Sequence, residues 1–136
     1  TRVWPRHDVL VMAAAVADYR PVRKSASKIK KSTDELVLRL EPTTDVLASL
    51  SRSRRPGQWV IGFALEDRNP RGSARSKLER KGLDAIVLNS PAAIGRTNSR
   101  IEILQRGSRW KTYSMRDKAS HARVIVDLVE SIGGPG

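Results

Sequence analysis

The stretch Val9 to Asp18, VLVMAAAVAD, constrains this chain more than any other. Val9-Leu10-Val11-Met12 is a continuous apolar run. A strand with one wet face alternates polar and apolar residues. An unbroken run is buried on both faces, as in parallel sheets covered by helices. The side chains then shrink to Ala13, Ala14 and Ala15, and the stretch closes on the carboxylate of Asp18. Small residues at the C-terminal end of a buried strand let another molecule approach the backbone, and open α/β sheets hold ligands at that end. A basic loop follows, ending in Lys28-Ile29-Lys30-Lys31. Strand, small-residue floor, acid and lysine cluster together predict a site for a nucleotide or another phosphorylated compound. The competing reading is a buried strand followed by a solvated basic loop.

Two further apolar runs repeat the pattern. Trp59 to Ala64 ends in small residues with Glu66 just beyond, and Asp84 to Leu88 ends at Asn89. Between them, Asn69-Pro70 predicts a helix start with Asn as the cap, and Gly82 predicts its stop near Lys81. Its apolar face is thin, Ala74 and Leu78, and Lys77 and Lys81 lie four apart on one face. Strand, helix, strand in this rhythm is a βαβ unit with a right-handed crossover.

The segment before this unit is less regular. Tyr19 to Asp34 has little periodicity and reads as a long loop, mobile without ligand. Leu36 to Leu40 alternates, which predicts a strand with one exposed face, ended by Pro42. Thr43 or Thr44 is the expected cap of a helix with Asp45 in its first turn and Val46, Leu47 and Leu50 facing the core. Arg52 to Gly57 reads as a solvated basic turn. Ile101 to Leu104 and Trp110 to Tyr113 flank a turn at Gly107 and predict a hairpin. A last helix is expected from about Asp117, with Ser114 as capping partner and Ala122, Ile125, Leu128, Val129 and Ile132 as its buried stripe. The expected architecture is α/β: a Rossmann-like three-layer sandwich, a mainly parallel sheet with a C-terminal hairpin plus helix, forming a single truncated domain over residues 1–136.

Composition removes several classes of function. With no cysteine and only His7 and His121, thiolate and histidine-rich metal sites are excluded, and a reducing cytoplasm fits. His121, on a surface helix, is expected to be solvated. No run approaches the roughly 20 apolar residues of a membrane span. The formal charge of +12 favours polyanionic partners, nucleic acid among them, although the basic residues are scattered. Neither a Walker A nor a GxGxxG motif is present. Lysines and helix starts would therefore have to hold any phosphate, with Lys28, Lys30, Lys31, Lys77 and Lys81 as candidates. Ser, His and Asp occur without the spacing of a triad.

The landmarks, taken in order, resemble the phosphopantothenoylcysteine synthetase family. They are Ala13 to Pro21 (AAAVADYRP), Lys28-Ile29-Lys30-Lys31, the helix start Asp45-Val46-Leu47, Gly62-Phe63-Ala64 with Glu66, Lys77-Leu78 with Lys81, and Asp84 to Asn89. The resemblance covers about residues 8 to 104. It implies a ligase joining 4′-phosphopantothenate to cysteine in coenzyme A biosynthesis, with CTP and Mg²⁺ and an acyl-cytidylate intermediate. It implies that Ala13, Ala14 and Asp18 line the nucleotide site. Thr44, Asp45, Val46 and Leu47 with Phe63 complete the nucleoside pocket, Lys77 and Lys81 bind the triphosphate, and Lys28 lies against the phosphates and reacting carboxylate as the catalytic lysine. Metal ligands are not assigned.

In many bacteria this ligase is the C-terminal half of a bifunctional protein whose decarboxylase half carries FMN, so no flavin is expected on this chain. The family pairs as homodimers, partly through the strand region matching Leu36 to Leu40. Three departures stand out. The family's glycine-rich phosphate loop, with an Asn for the pantothenoyl arm, has no counterpart in these residues. Glu66-Asp67 replaces its acid-threonine, and Asn89-Ser90 its Asn-Asp. The alternatives are a basic nucleic-acid-binding module on the same fold, or a non-catalytic paralogue.

Overall fold

The computed structural model describes residues 2–31, 33, 35–89, 99–115 and 117–133. Ser90 therefore lies outside the described residues. Five strands form one sheet: β1 (Val9–Met12), β4 (Trp59–Leu65), β5 (Ala85–Asn89), β6 (Ser99–Gln105) and β7 (Lys111–Met115), in that spatial order. β1, β4 and β5 are parallel, with Met12 beside Gly62 and Leu65 beside Asn89, whereas β6 and β7 return antiparallel. The expected α/β architecture with its C-terminal hairpin is present.

The apolar runs of β4 and β5 behave as two-sided burial requires, whereas β1, at the end of the strand order, corrects that expectation: Val9, Leu10 and Met12 are only partly buried and Val11 is 40% exposed. Along β4, Val60 and Ala64 face one core with Leu47 and Leu50 of α1 (Val46–Arg52) and Ala74 and Leu78 of α2 (Pro70–Arg80). Ile61 faces the other core, where Ile125, Leu128 and Val129 of α3 (Lys118–Gly133) pack. Gly62 allows this closeness. A Cβ there would meet Leu83 Cδ1 at 2.7 Å and Leu47 Cδ2 at 3.2 Å. Asp84 locks the start of β5, its Oδ2 accepting from Val60 N at 2.8 Å and from Arg54 Nη1 at 2.5 Å. Arg54 is thus bound to the body, unlike the fully solvated turn expected for Arg52 to Gly57. Gly82, at φ +67°, ends α2 in the left-handed conformation that glycine adopts freely. No helix among the described residues is long and apolar enough to cross a membrane.

Four local expectations are corrected. The strand expected at Leu36 to Leu40 is β3 (Leu40–Pro42), paired antiparallel with β2 (Tyr19–Pro21) inside the expected loop. Alternation stabilises a strand only when one face has something to cover it. Here Leu36, Val37 and Leu38 are all exposed, and the pairing stops at the Val22 N to Arg39 O bond. Asp45, rather than a threonine, is the cap of α1, its Oδ1 accepting from Ala48 N at 3.0 Å. Asn69 occupies the cap position of α2, but its side chain makes no cap bond and lies over Gly72 instead. Ser114 belongs to β7, and Asp117 bonds the first turn of α3 through Ser120 N at 2.7 Å and Ser120 Oγ at 3.0 Å.

Candidate functional site

A cavity of about 740 Å³ opens at the carboxyl ends of β1, β4 and β5. Its floor is the small-residue segment after β1, Ala13 to Val16, with Asp18 at its end. The floor is held from across the chain. The Thr43 hydroxyl donates to Ala17 O, and Thr43 N donates to Asp18 O at 2.8 Å. That stitch sets the end of β3 and the start of α1 against the floor, so Thr44, Asp45, Val46 and Leu47 form one wall. Phe63 comes from the end of β4, and Lys77 and Lys81 come from one face of α2.

All ten residues expected in a nucleotide site thus line one cavity, brought together from four stretches of chain. Lys28 is not among the lining residues; it is exposed on the segment between β2 and β3, as are Lys30 and Lys31. The lining also includes a group that sequence reasoning missed. Lys118, His121, Ala122 and Ile125 of α3 close the cavity from the opposite side of the sheet, beside Asn89 and Ile101. His121 is only 7% exposed, which corrects the expectation that it is solvated. Its helix looks superficial in isolation, but α3 packs on the face of the sheet, and His121 lies at the cavity with Asn89 and Ile101. The available signal was the spacing of Lys118, His121, Ala122 and Ile125 on one helical face.

The α2 lysines are not simple solvated cations. Lys77 Nζ donates to Phe63 O at 2.9 Å. Burial pushes its ammonium pKa down and neighbouring Lys81 adds to this, against the opposing pull of Glu66, Asp18 and Asp45. Lys81 Nζ lies 2.8 Å from Asp45 Oδ2. Burial works against the charge on Asp45, but the bonds from Lys81 and the Ala48 amide outweigh it and hold the carboxyl below its ordinary range. A second cavity, of about 600 Å³, shares Asp18, Lys77 and Lys81 with the first and adds Glu66, just past β4, and Ser73, Ser76 and Arg80 of α2. Among the described residues, no group of three or more Asp, Glu or His side chains is placed to hold a metal ion.

An open, mostly parallel sheet, small residues at the strand ends and facing lysines define an α/β ligand-binding domain of the Rossmann-like type. Residues 1–132 match the family described as the DNA/pantothenate metabolism flavoprotein C-terminal domain, and the chain belongs to that family. It is 38% identical over 129 residues to a cysteine/cysteine sulfinic acid decarboxylase from an unknown prokaryote, a match covering 92% of this chain and 35% of that protein. It is 46% identical over 96 residues to the coenzyme A biosynthesis bifunctional protein CoaBC of Mycolicibacterium smegmatis, covering 63% of this chain and 23% of that one. The crystal structure of the C-terminal domain of a CoaBC protein superposes with a TM-score of 0.77 at 27% identity, over 96% of this chain and 57% of that chain. The chain therefore spans about a third or less of the length of these curated relatives.

Proposed function

We propose that the chain is the nucleotide-binding part of a ligase that joins 4′-phosphopantothenate to cysteine, with CTP as the activating nucleotide, in coenzyme A biosynthesis. The observation that carries this reading is the convergence of Ala13, Ala14, Asp18, Thr44 to Leu47, Phe63, Lys77 and Lys81 on a single cavity at the sheet's carboxyl edge. Kinship with CoaBC proteins supports it from a separate direction.

The chemistry suits these residues. A carboxylate oxygen of phosphopantothenate attacks the α-phosphorus, the bond to pyrophosphate breaks, and an acyl-cytidylate forms. The cysteine amine then attacks the acyl carbon and loses a proton as CMP departs. The first step drives two anions together, and fixed cations stabilise the charge that develops. The small floor lets the nucleoside approach the backbone, Asp18 accepts from ribose hydroxyls, and Phe63 supplies an apolar wall. Mg²⁺ supplies further charge neutralisation on the phosphates. Lys28 acts from the exposed segment between β2 and β3, closing over the phosphates when nucleotide is bound. The β2–β3 ribbon and its flank expose Tyr19, Leu36, Val37, Leu38 and Leu40. An apolar surface of that kind marks an interface, and we assign it to a second copy of the chain.

The residues present offer no glycine-rich phosphate loop, and the relatives are about three times as long or more. Near-attack alignment of the reactants is worth roughly 7–11 kcal/mol of barrier, so turnover is assigned to a longer protein or to this chain with a second polypeptide. The test is pyrophosphate release from phosphopantothenate, CTP and Mg²⁺. None is expected from the 136 residues alone, and release is expected once the segment preceding this region in CoaBC is supplied. Robust release from the chain by itself would refute the division of the site.

A further inference from the structure

The cavity lies at the carboxyl edge of the sheet. The amino edge, about 20 Å away by the rise of β4, is built differently. Hydrogen bonds tie separate loops together there. Gln58 Nε2 donates to Trp4 O at 3.0 Å and Trp4 Nε1 to Leu50 O at 3.1 Å, which fixes the segment before β1 against the α1–β4 turn. Arg54 holds Asp84 at the start of β5, and Arg106 Nε donates to Leu83 O at 2.9 Å, which fixes the β6–β7 turn beside it. Arg6, Arg52, Arg54, Arg55, Arg106 and Arg109 thereby stand in a row along the amino edge of the five strands, roughly 20 Å long at the usual strand spacing. Arg54 and Arg106 are committed to the body. Arg6, Arg52, Arg55 and Arg109 are exposed, and among the described residues none of them pairs with a carboxylate. The acids nearby are Asp8, Glu79 and Asp127, all exposed, and Asp84, which is spent on Arg54 and the Val60 amide. Asp127 shares a small cavity with Arg109 without pairing to it.

Such a row selects a partner by its charge and by what it lacks. Gly57 and Gly107 turn the chain beside these arginines, and a Cβ at either would meet nothing within 4 Å, so both turns stand clear. Of the large apolar residues exposed among the described ones, Val3 alone lies at this edge. Protein partners are held by apolar and aromatic anchors, and one valine does not make such a patch. Single nucleic-acid strands are held by stacking their bases on aromatic rings, but here Trp4 is buried and Trp59 and Trp110 are partly buried. A phosphate backbone needs neither, and guanidinium forks bind its oxygens in bidentate fashion. We propose that the amino edge is a docking surface for the backbone of duplex nucleic acid, bound without regard to sequence. The row matches about six base pairs of duplex, and the formal charge of +12 has the sign this contact needs. The surface is separate from the nucleotide cavity and does not depend on it.

Fluorescence anisotropy on the chain with a labelled DNA duplex of mixed sequence, about 20 base pairs long, tests this across a salt series. Four arginines that displace counterions give log affinity a slope of about −3.6 on log salt, a loss of about 150-fold between 50 and 200 mM. Arg52→Gln combined with Arg55→Gln is expected to bring the slope to about −1.8 at an unchanged melting temperature. Arg6→Gln combined with Arg109→Gln is expected to do the same, and carries the test if the first pair fails to fold. Arg75→Gln combined with Arg123→Gln removes equal charge from exposed positions on α2 and α3 and leaves the slope as it was. Saturating CTP leaves duplex binding unchanged, and a single strand of equal length and polyglutamate both bind more weakly than the duplex. A slope near zero overturns the proposal. So does an equal fall in slope from all three pairs, which would mean that net charge alone attracts the duplex. Displacement of the duplex by CTP would move the contact to the cavity, and equal affinity for polyglutamate or the single strand would reject the duplex as partner.

Discussion

Asp45 performs two tasks that substitution can separate. Its Oδ1 caps α1 through Ala48 N, and its Oδ2 holds Lys81 at 2.8 Å. Asparagine caps a helix about as well as aspartate, whereas alanine does not. Asp45→Asn therefore removes the ion pair and keeps the cap; Asp45→Ala removes both. The cap is worth about 0.5–2 kcal/mol. The pair is half open to water, with side-chain exposures of 15% for Lys81 and 40% for Asp45. Solvent screening discounts it to roughly 0–1 kcal/mol. Urea denaturation should show Asp45→Asn close to the parent and Asp45→Ala about 1–2 kcal/mol less stable. The pH dependence follows from the depressed carboxyl. Its contribution is fully present above the unfolded value of 3.8 and is lost as pH falls through the lower folded value. The parent should thus lose stability relative to Asp45→Asn only in that acid window. Equal losses from Asn and Ala at neutral pH would refute the division into cap and pair.

Lys77 shows the same direction of pH dependence at the alkaline end, but its lowered pKa records a cost at neutral pH rather than a gain. Its folded pKa lies below 10.5, so stability rises as pH climbs from the folded value towards 10.5. Lys77→Met should flatten that rise and leave the melting temperature equal or higher, while weakening nucleotide binding measured by calorimetry. A lower melting temperature together with full affinity would contradict the assignment. Lys28→Gln should weaken CTP by roughly 1.5–3 kcal/mol, and bound CTP should slow hydrogen exchange over residues 22–31. Unchanged affinity and exchange would remove Lys28 from the site. Val37→Asp, at a position 75% exposed, should leave the fold intact and shift sedimentation from dimer to monomer. A parent that sediments as a monomer would reject the ribbon as an interface.

The parts of the fold legible in sequence are those whose burial is decided locally. β4 and β5 lie between two layers, so their interior residues must be apolar and the runs announce themselves; β1 shows the same run but is only partly covered. Leu36 to Leu40 misleads because alternation records only a residue's neighbours, and no layer lies against either face there. The α1 cap falls at Asp45, just past the two candidate threonines, and Thr43, a good cap by type, is drawn off to Ala17 O and Asp18 O. The cavity's α1–α2 half followed from motifs in a short span of chain. Its α3 half depends on Lys118 and His121 returning to strand ends more than 25 residues away, such as Asn89, and their shared helical face says that they stand together without saying what they meet.

The Thr43 stitch has a mechanical consequence. Strands β2 and β3 leave and re-enter the body at Asp18 and Thr43, the two points bonded to each other. The ribbon is therefore a lever whose fulcrum is the cavity wall. A torque on its outer end, from whatever grips the apolar surface, is delivered to Asp18 and to the first turn of α1 at once. The floor and wall of the cavity then tilt as one piece rather than spreading apart.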